Sequence, residues 1–241
     1  MNLPDVQTLY GVTEATWPPA RRFEEAGFTL RDGQGGGKRV SAATLAGDFS
    51  AADVSAAERA MREMGQPALF MIREGEAELD ASLATRGYEV IDPVNLYAAP
   101  AEVLTSDDIP RTIAIPAWDP LRIMEEIWAT GGIGPGRIEV MRRATDPKTG
   151  IVSRFNDQPA GTSFMAMHKG ITMLHALEIL PGFRRNGIGR WAMRRAGHWT
   201  LQQGGHTVSV LCTQANDAAN GLYSGLGMTL IGAYHYRILS E

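Results

Sequence analysis

The stretch Arg184-Arg185-Asn186-Gly187-Ile188-Gly189-Arg190 sets three guanidinium groups around two glycines. An apolar run ending at Leu180 precedes it and a helical pattern follows. Glycine lets the backbone come close to a ligand. Where such a turn opens a helix, the amides of Gly187, Ile188 and Gly189 can point at one anion, reinforced by the positive end of the helix dipole. Arg184, Arg185 and Arg190 add charge-assisted donors, so a phosphate or pyrophosphate is the ligand group that fits. Gly187 to Ala192 also satisfies the dinucleotide pattern G-x-G-x-x-A, but only 54 residues follow Gly187 and no acidic residue ends the next strand. Both facts argue against that fold. The Gly-Lys-Ser/Thr ending of a triphosphate-binding loop is absent as well.

A second motif lies about 30 residues downstream, from Asn216 to Gly227. Asn216, Ala219 and Tyr223 recur at steps of three and four on one helical face, beside an apolar stripe of Ala218, Leu222 and Leu226. This spacing turns Tyr223 away from the deepest core. Together, and in this order, the two motifs resemble the acetyl-CoA-binding loop and following helix of the GCN5-related N-acetyltransferases (GNAT). The resemblance covers Thr112 to Arg237, including the family's order of one strand, two helices, a three-strand meander, then helix and strand twice. It implies an α+β fold with a mixed, mostly antiparallel sheet flanked by helices. It also implies acetyl-CoA as co-substrate and no metal. Arg184, Arg185, Asn186, Gly187, Ile188, Gly189 and Arg190 would hold the pyrophosphate. Backbone around Leu177 to Ile179 would hold the pantetheine arm and polarise the thioester carbonyl. Asn216 and Ala219 would contact the cofactor, and Tyr223 would protonate the departing thiolate.

The chemistry implied is acyl transfer from a thioester to a primary amine of a small molecule. Such an amine, with a pKa of about 10, must lose a proton before it attacks. Strand alternation puts His175, Leu177 and Ile179 on one side and Ala176 and Glu178 on the other. His175 and Glu178 are both candidate bases, directly or through water. Cys212 has no basic neighbour in sequence and reads as a small buried residue, so direct transfer is expected over an acyl-cysteine. His168, His198 and His206 lack metal-ligand spacing. Trp128, Glu125, Glu126 and Arg137, on two helices joined by the glycine-rich 131–136, are candidates to face the acceptor. The acidic residues among them would favour a cationic acceptor.

Helix, strand, helix, strand ends each half of the chain. Gly65 and Gly87 lie 22 residues apart, as do Gly205 and Gly227, at an offset of 140. Each pair brackets an apolar strand and a helix, which suggests a degenerate duplication. The same offset carries the phosphate loop onto Thr44 to Ser50, where Asp48 would oppose a phosphate, and carries Tyr223 onto Leu83. Two segments are therefore expected: 1–100, a degenerate GNAT-like lobe that walls off part of the acceptor site, and 111–241, the acetyl-CoA-binding lobe. The proline-flanked 99–110 would connect them. Asp32 to Arg39 reads as a hairpin loop between strands 28–31 and 39–43, with Lys38 and Arg39 on a solvated edge.

With 241 residues, 44% hydrophobic and 21% charged, the composition is that of a folded globular protein. A net charge of −4 gives no bulk attraction for nucleic acid or anionic membranes. One cysteine, no apolar run of membrane-spanning length and no signal-like start point to a cytoplasmic protein. The partner expected is a small amine, with a homodimer compatible. The alternative reading is a non-catalytic acyl-CoA-binding or regulatory module, which would keep the loop and be indifferent to Tyr223.

Overall fold

The computed structural model describes residues 2–106, 108–110 and 112–239. Met1, Asp107, Arg111, Ser240 and Glu241, which fall in the two expected segments and their connection, lie outside the described residues. Helix α1 (Val6–Thr16) starts at Asp5, whose carboxylate accepts the Thr8 amide at 2.7 Å and fills one open donor of the first turn. Strands β1 (Arg21–Glu25), β2 (Phe28–Asp32) and β3 (Thr44–Leu45) form a small antiparallel sheet. Helix α2 (Val54–Glu63), β4 (Leu69–Ile72), α3 (Ala77–Thr85) and β5 (Glu89–Pro100) follow. Beyond them come β6 (Ala114–Ala117), α4 (Arg122–Thr130), α5 (Pro135–Arg143), β7 (Lys148–Phe155), β8 (Gln158–His168) and β9 (Ile171–Ile179). The chain closes with α6 (Ile188–Gln202), β10 (Thr207–Thr213), α7 (Asp217–Gly225) and β11 (Thr229–Ile238).

One eight-stranded sheet runs in the order β4-β11-β5-β10-β9-β8-β7-β6, antiparallel except where β9 lies beside β10. Strand β5 sits between β10 and β11, while β11 sits between β4 and β5. A shift of 140 residues carries α3 onto α7 end for end, and the start of β5 onto that of β11. Helix α6 covers one face, burying Met193, Ala196 and Trp199 against Leu174, Val208 and Val210. Helix α1 covers the other, with Leu9 and Tyr10 on Leu96 and Met173, and α4 continues that layer through Met124 and Trp128 on Phe164. Helices α2 and α3 enclose a separate cluster with Phe28, Phe70 and Tyr88. Each large apolar side chain so buried contributes about 1.5–3 kcal/mol. This is the α+β architecture expected: a mixed, mostly antiparallel sheet flanked by helices.

Several local expectations are corrected. Strand β2 pairs with β1 upstream, through a turn at Ala26 and Gly27, and downstream with β3 at Thr44–Leu45 and not with 39–43, so 32–39 is part of a longer connection and not a hairpin loop. Residues 38–40 form a 3-10 turn instead of a strand. A β-carbon at Gly36 would collide with Val40 and Val140, and one at Gly136 with the backbone of Gly35. The glycine run therefore packs face to face on the start of α5, which a strand with side chains could not do. The stretch 99–110 is not a free connection: β5 runs to Pro100 and 101–105 make a 3-10 turn with Ala101 and Leu104 buried against α6.

Candidate active site

The pairing of β9 with β10 stops at Leu174 opposite Val210. Beyond that point β10 follows β5, pairing Leu211, Cys212 and Thr213 with Leu96, Asn95 and Val94. On its other side β9 slips against β8, so that Phe164 opposes His175 and Thr162 opposes Glu178. The extra residue is a bulge at Ala176, whose φ of 51° is left-handed. An L-residue there costs about 1–2 kcal/mol, offset in part because the Trp128 indole N–H donates to the Ala176 carbonyl at 2.8 Å. The two strands diverge into a groove of about 860 Å³.

The start of α6 closes one end of this groove. Arg184 Nε donates to the Ile179 carbonyl at 3.0 Å and Nη2 to Glu178 Oε1 at 3.2 Å, which folds the loop back on β9. Asn186 Nδ2 bridges the carbonyls of Phe183 and Arg184 at 3.2 Å each. Gly187, at φ 75°, is the left-handed residue that opens α6, a geometry only glycine adopts at little cost. Arg184, Arg185, Gly187, Ile188, Gly189 and Arg190 all line the groove. At the other end stand Cys212 and α7, capped by Asn216, whose Oδ1 accepts from the Ala219 amide at 3.0 Å. Tyr223 lines the groove with its ring 5.8 Å from that of Tyr97. Burial pushes its phenol far above the ordinary tyrosine value, so it stays protonated, and burial pushes the Cys212 thiol up to about 11.

Across the bulge lies a second cavity of about 520 Å³, which shares Ala176, Leu211, Cys212 and Thr213 with the groove. Its far wall comes from the first segment and β11: Trp17, the glycine run, Arg39, Tyr234 and Tyr236. The two cavities meet where the strands part.

Residues 120–228 match the family model of the acetyltransferase (GNAT) family. That GNAT match holds just under half of the chain and contains the whole groove. Among solved structures, the chain resembles a GCN5-related N-acetyltransferase from Kribbella flavida, with a TM-score of 0.71 at 16% identity over 97% of this chain and 95% of that one. A putative GNAT acetyltransferase from Novosphingobium aromaticivorans gives 0.56 at 12% identity, over 98% and 96%. A tandem GNAT protein from the clavulanic acid biosynthesis pathway gives 0.58 at 11% identity, over 88% and 77%. At such identities these likenesses establish the shared fold. No curated protein matches the sequence.

The groove brings together Leu177, Glu178, Ile179, Arg184, Arg185, Gly187, Ile188, Gly189, Arg190, Asn216, Ala219 and Tyr223. Asn186 shapes the loop from behind and is absent from the lining. Tyr223 is 4% exposed within the α6 core cluster, so the expectation that it turns from the core is corrected: it belongs to the core and meets the groove at its edge. The expected strand alternation fails because the bulge at Ala176 resets it. His175 faces the α1 and α4 layer, between Trp17 and Phe164, and Leu177 faces α6.

His175 does not join the groove. It is buried, with Arg39 Nη1 3.2 Å from Nδ1 and Thr16 Oγ1 2.9 Å from Nε2. Thr16 in turn donates to the Val12 carbonyl at 2.7 Å. Burial first, and the Arg39 charge second, hold the imidazole well below its ordinary pKa, hence neutral. Both ring nitrogens are engaged in a chain from Arg39 to the backbone of α1. Glu178, by contrast, lines the groove, and its carboxylate packs so tightly on Gly131, at the end of α4, that a β-carbon there would overlap it.

Of the helical-pair candidates, Arg137 lines the second cavity. Trp128 is buried, while Glu125 is half-buried and Glu126 exposed, paired with Arg142 (3.3 Å) and Arg122 (2.9 Å) respectively. The acidic residues thus lie outside this second cavity, along a separate hollow beside α4 and α5 that Arg122 and Arg142 also line. Sequence reasoning missed Trp17, Tyr234 and Tyr236, and placed Arg39 on a solvated edge. The glycine run just before Arg39 was the available signal, because it marks a close approach of backbones. Among the described residues no group of three or more His, Cys, Asp or Glu could hold a metal, and no helix is long and apolar enough to cross a membrane.

Proposed function

We propose that the chain is an acetyl-CoA-dependent N-acyltransferase acting on the primary amine of a small molecule by direct transfer. The observation that carries this reading is the groove itself. It runs from an arginine-rich, left-handed turn at a helix N-terminus to a protonated tyrosine, where two parallel strands part. The turn suits a pyrophosphate, and the volume suits the arm of a large thioester substrate.

In this reading Arg184, Arg185 and Arg190 and the amides from Gly187 to Gly189 bind the phosphates. Asn216 and Ala219 contact the cofactor from the groove wall, and the backbone from Leu177 to Ile179 orients the thioester carbonyl. Glu178, directly or through one water, takes the proton of the attacking amine, and Tyr223 gives its proton to the departing sulfur. Cys212 stays a thiol near neutral pH, which fits attack by the amine without an acyl-enzyme. His175 acts through Arg39 and not on the substrate.

Residues 1–100 and 111–241 are, in this proposal, two copies of one unit, the first degenerate. The coincidence of α3 with α7 at a shift of 140 supports it. So does the state of the counterpart positions: Leu83 is fully buried, and 44–50 form the end of a small sheet and a 3-10 turn. A cytoplasmic location fits this chemistry. Calorimetric titration with acetyl-CoA tests the reading. One site per chain, weakened by Arg184→Ala, is expected; two sites would overturn the degenerate first lobe, and none would overturn the transferase.

A further inference from the structure

The second cavity carries unbalanced positive charge. Among its described lining residues Asp92 is the sole carboxylate, and it is paired with Lys38. That leaves Arg39 and Arg137, neither of which has a carboxylate partner among the described residues. Arg39 is half-buried, its guanidinium 5.6 Å from the Trp17 ring centroid and its Nη1 on the neutral His175, while its buried Nε has no partner. Arg137 lies over Gly37 in the same wall. An arginine held rigidly on an aromatic face with donors left over is arranged to grip a planar anion. The remaining wall, Trp17, Val94, Ile133, Tyr234 and Tyr236, is apolar and aromatic. The mouth, at Ala176 and Cys212, opens on the groove.

We propose that this cavity is the acceptor site and that it selects amines carrying a carboxylate and an apolar or aromatic body, that is, amino-acid-like acceptors. Arg39 and Arg137 bind the carboxylate, the aromatic wall packs on the body, and the amine projects through the mouth toward the thioester carbonyl. His175 is a positioning residue: by accepting from Arg39 while staying neutral it fixes the guanidinium without cancelling its charge. This assignment rests on the acyltransferase reading for the direction of transfer, but the anion preference of the cavity is testable without turnover.

The full chain is titrated calorimetrically, with and without coenzyme A, with N-acetylphenylalanine and with N-acetylphenethylamine, which lacks only the carboxylate. The acid should bind at least about tenfold tighter. In Arg39→Gln and, separately, Arg137→Gln, the ratio should fall to within about twofold of unity, while acetyl-CoA affinity stays that of the parent. Arg137→Gln decides the matter should loss of the His175 contact unfold the other variant. Equal or tighter binding of the uncharged compound, or a preference for the acid that survives both substitutions, overturns the proposal. Arginine-dependent binding of the acid by a chain that ignores acetyl-CoA would sink the transferase reading and sustain only the cavity's preference for an amino-acid-like anion.

Discussion

Replacing Asn220 should loosen β5 from α7 and the rim of the groove. Its Oδ1 accepts from Asn95 Nδ2 and the Tyr97 hydroxyl, both at 2.9 Å, and from the Cys212 thiol at 3.4 Å. Its Nδ2 donates among the carbonyls of Thr213, Gln214 and Asn216 at 3.1, 3.2 and 2.9 Å. One amide has two protons, so two of those three carbonyls are satisfied at a time. Gln214 and Asn216 are exposed and can turn to water. The losses that remain in Asn220→Ala are those of the buried Tyr97 hydroxyl and the half-buried Asn95 amide, since the Thr213 carbonyl keeps the Asn216 backbone N–H at 3.1 Å. At about 1 kcal/mol for each bond, the variant should be about 2 kcal/mol less stable. Asn220→Asp keeps the acceptor but sets a second, charged oxygen against three carbonyls, so at pH 7 it should lose at least as much. Urea unfolding at constant m-value reads both. A loss under about 0.5 kcal/mol for the alanine variant, or an aspartate variant as stable as the parent, would refute this account of the joint.

Other outcomes follow from the same geometry. Tyr223→Phe should lower kcat by about a hundredfold with little change in acetyl-CoA affinity, followed by release of free thiol. Glu178→Gln should lower kcat similarly, whereas His175→Gln should act on acceptor KM. Alkylation of Cys212 should be slow at pH 7 and climb until the pH passes about 11, because the raised thiol pKa leaves little thiolate, and acetyl-CoA should protect it. Asp80 on α3 bonds Arg237 Nε at 2.7 Å and His235 Nε2 at 2.8 Å on β11, and the Arg237 bond, with His235 behind it, holds its carboxyl below the usual range. Its stabilisation is present above the unfolded value of about 3.9 and disappears as pH falls through the depressed folded value. The urea midpoint gap between parent and Asp80→Asn should therefore close in that acid window.

Most of the second segment was legible because its signals are local. Gly170 and Gly227 punctuate the elements, and the apolar character of β8, α6 and the first half of β9 is continuous. The loop from Arg184 to Arg190 announces its ligand by composition. What escaped depends on contacts distant in sequence. The bulge at Ala176 uses an alanine where glycine would have flagged a left-handed turn, and it is held by Trp128, which no spacing connects to β9. Helix α1 hides because Thr13 and Thr16, buried on its inner face, read as polar; their hydroxyls are spent on the Leu9 and Val12 carbonyls. Arg39 reads as a surface charge until the glycine run is seen packed on α5. The seating of β5 between β10 and β11 leaves no trace in either strand, since both neighbours accept the same alternation.

That seating fixes an order of events during synthesis. Residues 89–100 are made long before one of their two neighbours, β11, and until β11 is made β4 has no sheet partner on that side. Loop closure across about 140 residues must precede the last pairing. A nascent chain that already carries the arginine loop therefore still exposes the edges of β4 and β5, open to pairing with another chain. The groove therefore becomes rigid only after residues 229–238 have threaded between β4 and β5, strands made long before.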